Sequence, residues 1–180
     1  MKTALILIAD GSEELEAVTL VDILRRAGVV VTLAGLGAGL LRCSRGVLLM
    51  PDTTLEAALE NDYDMVVLPG GLPGTTHLKN DARVLDLVNR MAQQGKYVAA
   101  ICAAPSVLAA AGLLDGKRAT CYPTCLDDFP RVNLQTSAVV EDGKLITSRG
   151  PGTAMDFALA LVERLAGQTK RQEVEAGLQR

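Results

Sequence analysis

Residues 3–34 read TALILIADGSEELEAVTLVDILRRAGVVVTLA, and this stretch decides the fold. Residues 3–9 are a continuous apolar run, the pattern of a strand covered on both faces. Ser12 is a candidate N-cap, and the acidic residues after it suit the first turn of a helix. Leu20, Ile23, Leu24 and Ala27 form a helical stripe that Gly28 closes. Residues 29–34 (VVVTLA) then make a second strand. A strand, a helix and a strand in 32 residues is one βαβ unit, and it implies a parallel sheet.

The same alternation continues outward. Residues 35–53 read as strand and turn, and Thr54 to Glu60 as a short helix. Residues 64–68 (DMVVL) are a buried strand stopped by Pro69-Gly70-Gly71. Asp81 to Gln94 carries Val84, Leu87, Val88 and Met91 at helical spacing. Residues 97–101 (YVAAI) are a strand, and Pro105 to Leu114 is an apolar helix with Pro in its first turn. Thr120 to Pro130 is irregular. Residues 138–147 read as a hairpin. Thr153 to Leu165 is an amphipathic helix, followed by a polar tail. The expected fold is α/β, a mostly parallel sheet with helices on both faces, in a single domain over 1–180.

Composition narrows the function. The 180 residues carry 18 Lys plus Arg against 21 Asp plus Glu, a net charge of −3 with no basic run, so a nucleic-acid backbone reader is not expected. Aromatics are 3% and Trp is absent, which disfavours base stacking. No apolar run nears the roughly 18 residues of a membrane span. The apolar N-terminus runs straight into Asp10, Glu13, Glu14 and Glu16 without a cleavage-type segment, so it reads as a strand rather than a signal peptide. Four cysteines are too few for a disulfide scaffold, which makes a reduced, cytoplasmic protein the expectation.

In open α/β sheets, ligands bind beyond the carboxyl ends of the strands. Cys102 follows the strand YVAAI and precedes a helix opened by Pro105. A nucleophile in such a turn is presented above the sheet, and a helix N-terminus favours its thiolate. The alternative is a buried, inert cysteine. Gly70 and Gly71 could let backbone N–H groups approach a substrate oxygen, or simply end a strand. Glu16 lies four residues before Leu20 and Glu13 seven, so both fall on the apolar side of the first helix. A buried Glu16 would hold its proton and could donate it to a thiolate. Glu14 reads as a first-turn acid serving the helix dipole.

Other features say less. Gly35 to Leu40 begins like a dinucleotide loop, but Leu40 replaces the last Gly and no helix pattern follows. Cys121 and Cys125 are spaced C-x-x-x-C, which leaves a disulfide, a metal and free thiols open; zinc is not favoured, since Cys43 and His77 are distant in sequence. His77 reads as a polar residue at a helix start, and Arg45 as an anion binder.

ADGSEELEAV, VDILRRAGVVVTLAGL, CSRG, VVLPGG, AAICAAP, TSRGPGT and FALALVERL occur in this order. Together they resemble the ThiJ/PfpI superfamily, in its branch of Parkinson-associated protein deglycase and bacterial YajL, from Thr3 to Gly167. The resemblance implies a flavodoxin-like sandwich and a homodimer. It implies that Cys102 is the nucleophile, open to oxidation, and that Glu16 hydrogen-bonds its thiol. The N–H groups of Gly71 and Ala103 would face the substrate oxygen, and Arg26 and Arg45 would lie near the pocket and dimer interface. The implied activities are cofactor-free, metal-free deglycation of methylglyoxal- or glyoxal-modified amino and thiol groups, glyoxalase turnover of small α-oxoaldehydes, and oxidative-stress chaperoning. Two departures inform this. Ala103 stands where peptidase-like members carry His, which weakens a peptidase reading. Tyr122 stands where human-type members carry His, as in the bacterial branch, which leaves Glu16 to move the proton.

Overall fold

The computed structural model describes residues 1–180. β1 (Thr3–Ile8) leads to α1 (Glu14–Arg26) and β2 (Val30–Gly35). β3 (Leu41–Arg42) and β4 (Leu48–Leu49) form a small antiparallel hairpin. β5 (Thr53–Thr54) runs into α2 (Leu55–Ala58), where the Thr54 side chain accepts the Ala57 N–H. β6 (Met65–Leu68), α3 (Leu72–Asn80), α4 (Ala82–Gln93), β7 (Tyr97–Ile101) and α5 (Pro105–Ala110) follow. β8 (Arg118–Ala119) pairs with β9 (Asn133–Leu134) across the irregular stretch. β10 (Val139–Asp142) and β11 (Leu145–Ser148) are the expected hairpin, and α6 (Ala154–Ala166) and α7 (Gln168–Gly177) end the chain.

Seven strands form the central sheet in the order β10-β11-β7-β6-β1-β2-β5, all parallel except for β10 against β11. The period-2 alternation of β1 divides the core in two. Ala4, Ile6 and Ile8 pack with α1, α6 and α7, whereas Leu5 and Leu7 pack with the layer of α2, α4 and α5. The direction of winding reverses between β1 and β6, which opens a crevice at their carboxyl ends.

Three local expectations change. Ser12 does not cap α1: Glu13 occupies that position with no side-chain cap, and the Ser12 hydroxyl accepts the Ala9 N–H at 3.0 Å. His77 lies in the last turn of α3, not at a helix start. The polar tail is helical, because Val174 tucks against the α6 side of the core.

Candidate active site

β7 ends at Ile101, and the chain turns so sharply that Cys102 adopts φ 64. That left-handed backbone is uncommon for a residue with a side chain and occurs where surrounding structure enforces it. Here the Cys102 N–H donates to Ser148 O at 3.0 Å, and Cys102 O accepts the Tyr122 N–H at 2.8 Å. The turn lifts the thiol to the floor of a cleft of about 390 Å³. Glu13, Arg45, Gly71, Ala103 and Tyr122 line that cleft with Cys102, as do Ser44, Leu72, Pro73 and Pro151.

Glu16 lies beneath the cleft and is wholly buried. The Gly70 N–H donates to its Oε2 at 2.7 Å, while Oε1 has no partner in the hydrogen-bond geometry. The carboxyl is within reach of the Cys102 thiol, and each acts on the other's proton. Burial, opposed by the Gly70 N–H and the thiol and reinforced by the Glu13 charge, pushes Glu16 up to about 7. Burial first, then the charge of Glu16, pushes the Cys102 thiol up to about 12. The N–H groups of Gly71 and Ala103 work against that rise.

The thiol is therefore less freely ionised than a strand-to-helix turn suggests. α5 spans only six residues, and the groups that favour a thiolate are two local N–H donors. Of the two groups the carboxyl gives up its proton near neutrality, and the thiol does so only in strong alkali.

The glycines make this contact physically possible. A Cβ on Gly70 would stand 2.6 Å from Cys102 Cβ and 2.9 Å from Glu16 Oε2. Gly71 has φ 86, and a Cβ there would stand 2.3 Å from Gly11 O. All three distances are shorter than a real Cβ tolerates, so a side chain at either glycine would force these neighbours apart.

Glu14 also departs from its expected role. It is buried and bridges to the β3–β4 hairpin, taking the Arg45 N–H at 2.9 Å, the Val47 N–H at 3.3 Å and the Ser44 hydroxyl at 3.1 Å. Burial alone would raise its pKa, but these donors and its own N–H hold the carboxyl below the usual range. Ser44 also donates to Glu13 Oε2 at 2.8 Å, so one hydroxyl orients two acids. The reading of residues 35–53 as strand and turn covers this hairpin, but no local pattern couples Ser44 to residues 30 positions away. Arg26 is not brought to the cleft. It is exposed at the far end of α1, paired with Asp22 at 3.0 Å and beside Lys170 and Glu173 of α7. The structure contains no group of three or more His, Cys, Asp or Glu side chains placed to hold a metal ion, and no helix long and apolar enough to cross a membrane.

The family model described as DJ-1/PfpI family matches residues 2–164. The chain belongs to the DJ-1/PfpI family. It is 47% identical to protein dj-1beta of Drosophila melanogaster over 98% of this chain and 96% of the relative. The crystal structure of that fly protein superposes with a TM-score of 0.96, covering 98% of this chain and 97% of the other. It is also 36% identical to the glutathione-independent glyoxalase DJR-1.2 of Caenorhabditis elegans, over 94% of this chain and 91% of the relative. Toxoplasma gondii DJ-1, solved in an oxidized form, superposes with a TM-score of 0.95 at 37% identity, covering 99% of this chain and 98% of that one. The flavodoxin-like α/β fold of this DJ-1/PfpI member matches the DJ-1 structures throughout.

Proposed function

We propose that this DJ-1/PfpI protein is a cysteine-dependent, cofactor-free enzyme acting on methylglyoxal, glyoxal or their adducts on amino and thiol groups. The observation that carries the reading is the pairing of Cys102, held at φ 64 at the floor of the cleft, with a buried Glu16 pushed up to about 7. A general acid or base works best when its pKa lies near the working pH. The glyoxalase named among its relatives supports the same chemistry.

In this reading Glu16, ionised near neutrality, takes the Cys102 thiol proton as an aldehyde enters. Sulfur attacks the aldehyde carbon, and the C=O electron pair moves to oxygen. The N–H groups of Gly71 and Ala103, already directed at the sulfur, are the donors nearest that oxygen. Glu16 gives the oxygen a proton. As carboxylate, it then takes the C1 proton and returns one to C2. The resulting lactoyl thioester is hydrolysed by water, which restores the thiol. Methylglyoxal plus water becomes lactate, with no net change in oxidation state. A glycated amine or thiol enters through the same carbon and leaves as the free group. The test is methylglyoxal consumption with lactate detection by the wild type and by Cys102→Ser. Turnover that survives in the variant overturns the assignment.

A redox-sensing stress chaperone is the second reading, favoured by the oxidized form of the Toxoplasma gondii relative. Mild peroxide that adds oxygen to Cys102 in a protein unable to consume methylglyoxal would support it. The four free thiols suit a reducing compartment such as the cytoplasm. A homodimer belongs to the same proposal: Leu15, Val18, Val47 and Leu48 are exposed on α1 and the hairpin that Glu14 ties to it.

A further inference from the structure

Cys121 and Cys125 have no part in the chemistry above, yet the fold brings them together. Between them Thr124 has φ 71, a left-handed conformation rarely adopted by a β-branched residue. This reversal folds the chain back. The Cys125 N–H donates to Tyr122 O at 3.1 Å, and the backbone N–H groups of Leu126 and Cys125 act on the Cys121 thiol, as does the Cys125 thiol itself. The two cysteines thus stand on one reversed turn. A disulfide needs Cα atoms about 4.4–6.8 Å apart, a span that a reversed segment of five residues can meet.

The two thiols differ in access. Cys121 is buried, and burial followed by the neighbouring Cys125 pushes its thiol up to about 11. Cys125 is partly exposed; burial and Asp127 raise its thiol, while the Lys79 ammonium opposes the rise. That arrangement gives an outer sulfur for an oxidant to reach and an inner sulfur to resolve it.

The turn also connects to the cleft. Tyr122 lies between the two cysteines in sequence, its N–H is bonded to Cys102 O, and its ring lines the Cys102 cleft. On its other side lies a second hollow of about 300 Å³ beside Arg149 and Gly150. Any movement of the 121–125 turn is therefore a movement of the cleft wall.

We propose that Cys121 and Cys125 form a thiol–disulfide pair that closes by exchange with a low-molecular-weight disulfide such as glutathione disulfide, and that closure repositions Tyr122 and changes access to Cys102. The Cys125 thiolate attacks one sulfur of glutathione disulfide and releases glutathione. The Cys121 thiolate then attacks the mixed disulfide at the Cys125 sulfur and releases the second glutathione. Two protein thiols are oxidised, one glutathione disulfide is reduced, and the two thiol protons end on the two glutathiones.

Both cysteines fall in one tryptic peptide, Ala119 to Arg131, which makes the test direct. The folded wild type is incubated with glutathione disulfide, alkylated and mapped without reduction. The expected product is that peptide lacking two hydrogens and carrying no alkyl group. The rate of Cys102 alkylation by iodoacetamide should change several-fold in the closed form. Cys125→Ser, which cannot close, should keep its Cys102 rate after the same treatment. Recovery of both cysteines alkylated, a persistent glutathione adduct on Cys125, or an unchanged Cys102 rate in the closed form overturns the proposal. None of these readouts involves aldehyde turnover, so the outcome is independent of the catalytic reading.

Discussion

The Glu16 carboxyl lies wholly buried against the Cys102 thiol, and the Gly70 N–H fixes it there at 2.7 Å. Two acidic groups that share one site cannot both ionise cheaply, so the proton they share governs reactivity. If the charge rests on sulfur, Glu16 is its hydrogen-bond donor.

Thiolate absorbance tests that placement. Glu16 gives up its proton near pH 7 and its charge helps hold the Cys102 thiol up at about 12, so the wild type should develop thiolate only in alkali. Removing that charge in Glu16→Ala should move the transition downward, and Glu16→Gln, which can also donate to the thiolate, at least as far. A Glu16→Ala transition at higher pH than the wild type would put the charge on the sulfur instead.

The same site makes stability depend on pH. Glu16 holds its proton more tightly in the folded protein, at about 7 against an ordinary 4.5. Its contribution is complete below 4.5 and lost as pH rises through about 7, a loss on the order of 3 kcal/mol. Glu16→Gln stays neutral and should be more stable than the wild type at pH 8, with the advantage vanishing near pH 4. Urea midpoints of the two proteins across that range check this. Aldehyde turnover by the variant should fall by roughly 10²–10⁴-fold, the usual contribution of a general acid–base group.

Gly70→Ala should disable the site without replacing a functional side chain. Its methyl group would stand 2.6 Å from Cys102 Cβ, so the β6 turn and the Cys102 turn must part. Overpacking of this kind costs about 1–3 kcal/mol. Thermal unfolding should report that loss, and iodoacetamide labelling should show an altered Cys102 rate. A variant that matches the wild type in both would mean the turn accommodates a side chain.

Val18 is about half exposed on α1, close to the hairpin that Glu14 anchors. Val18→Asp should convert a homodimer into a monomer. Light scattering at micromolar concentration reads the masses, and a wild-type monomer would remove the dimer from the proposal.

Much of the architecture was legible from local pattern. Short apolar runs at 3–9, 64–68 and 97–101 marked buried strands, and the stripe from Leu20 to Ala27 marked α1. α3 and α7 escaped notice for the opposite reason. α3 (LPGTTHLKN) opens with Pro-Gly and buries Gly74, Thr75 and Leu78, while α7 buries only Val174, so neither carries a readable apolar face. Burial of α7 on α6 is a tertiary event.

The sequence by itself determined the alternation of strand and helix, the turn that presents Cys102, and the place of Glu16 on the inward stripe of α1. These follow from side-chain periodicity and backbone sterics, which act over a few residues. Only the tertiary structure decided which acid does what. Glu13, Glu14 and Glu16 lie within four positions, yet one faces the cleft, one holds the 44–47 loop and one touches the thiol. It also left Arg26 at the far end of α1 and raised the Cys102 thiol rather than lowering it. A carboxyl group's role depends on its desolvation and its donors, and both come from segments far away in the chain.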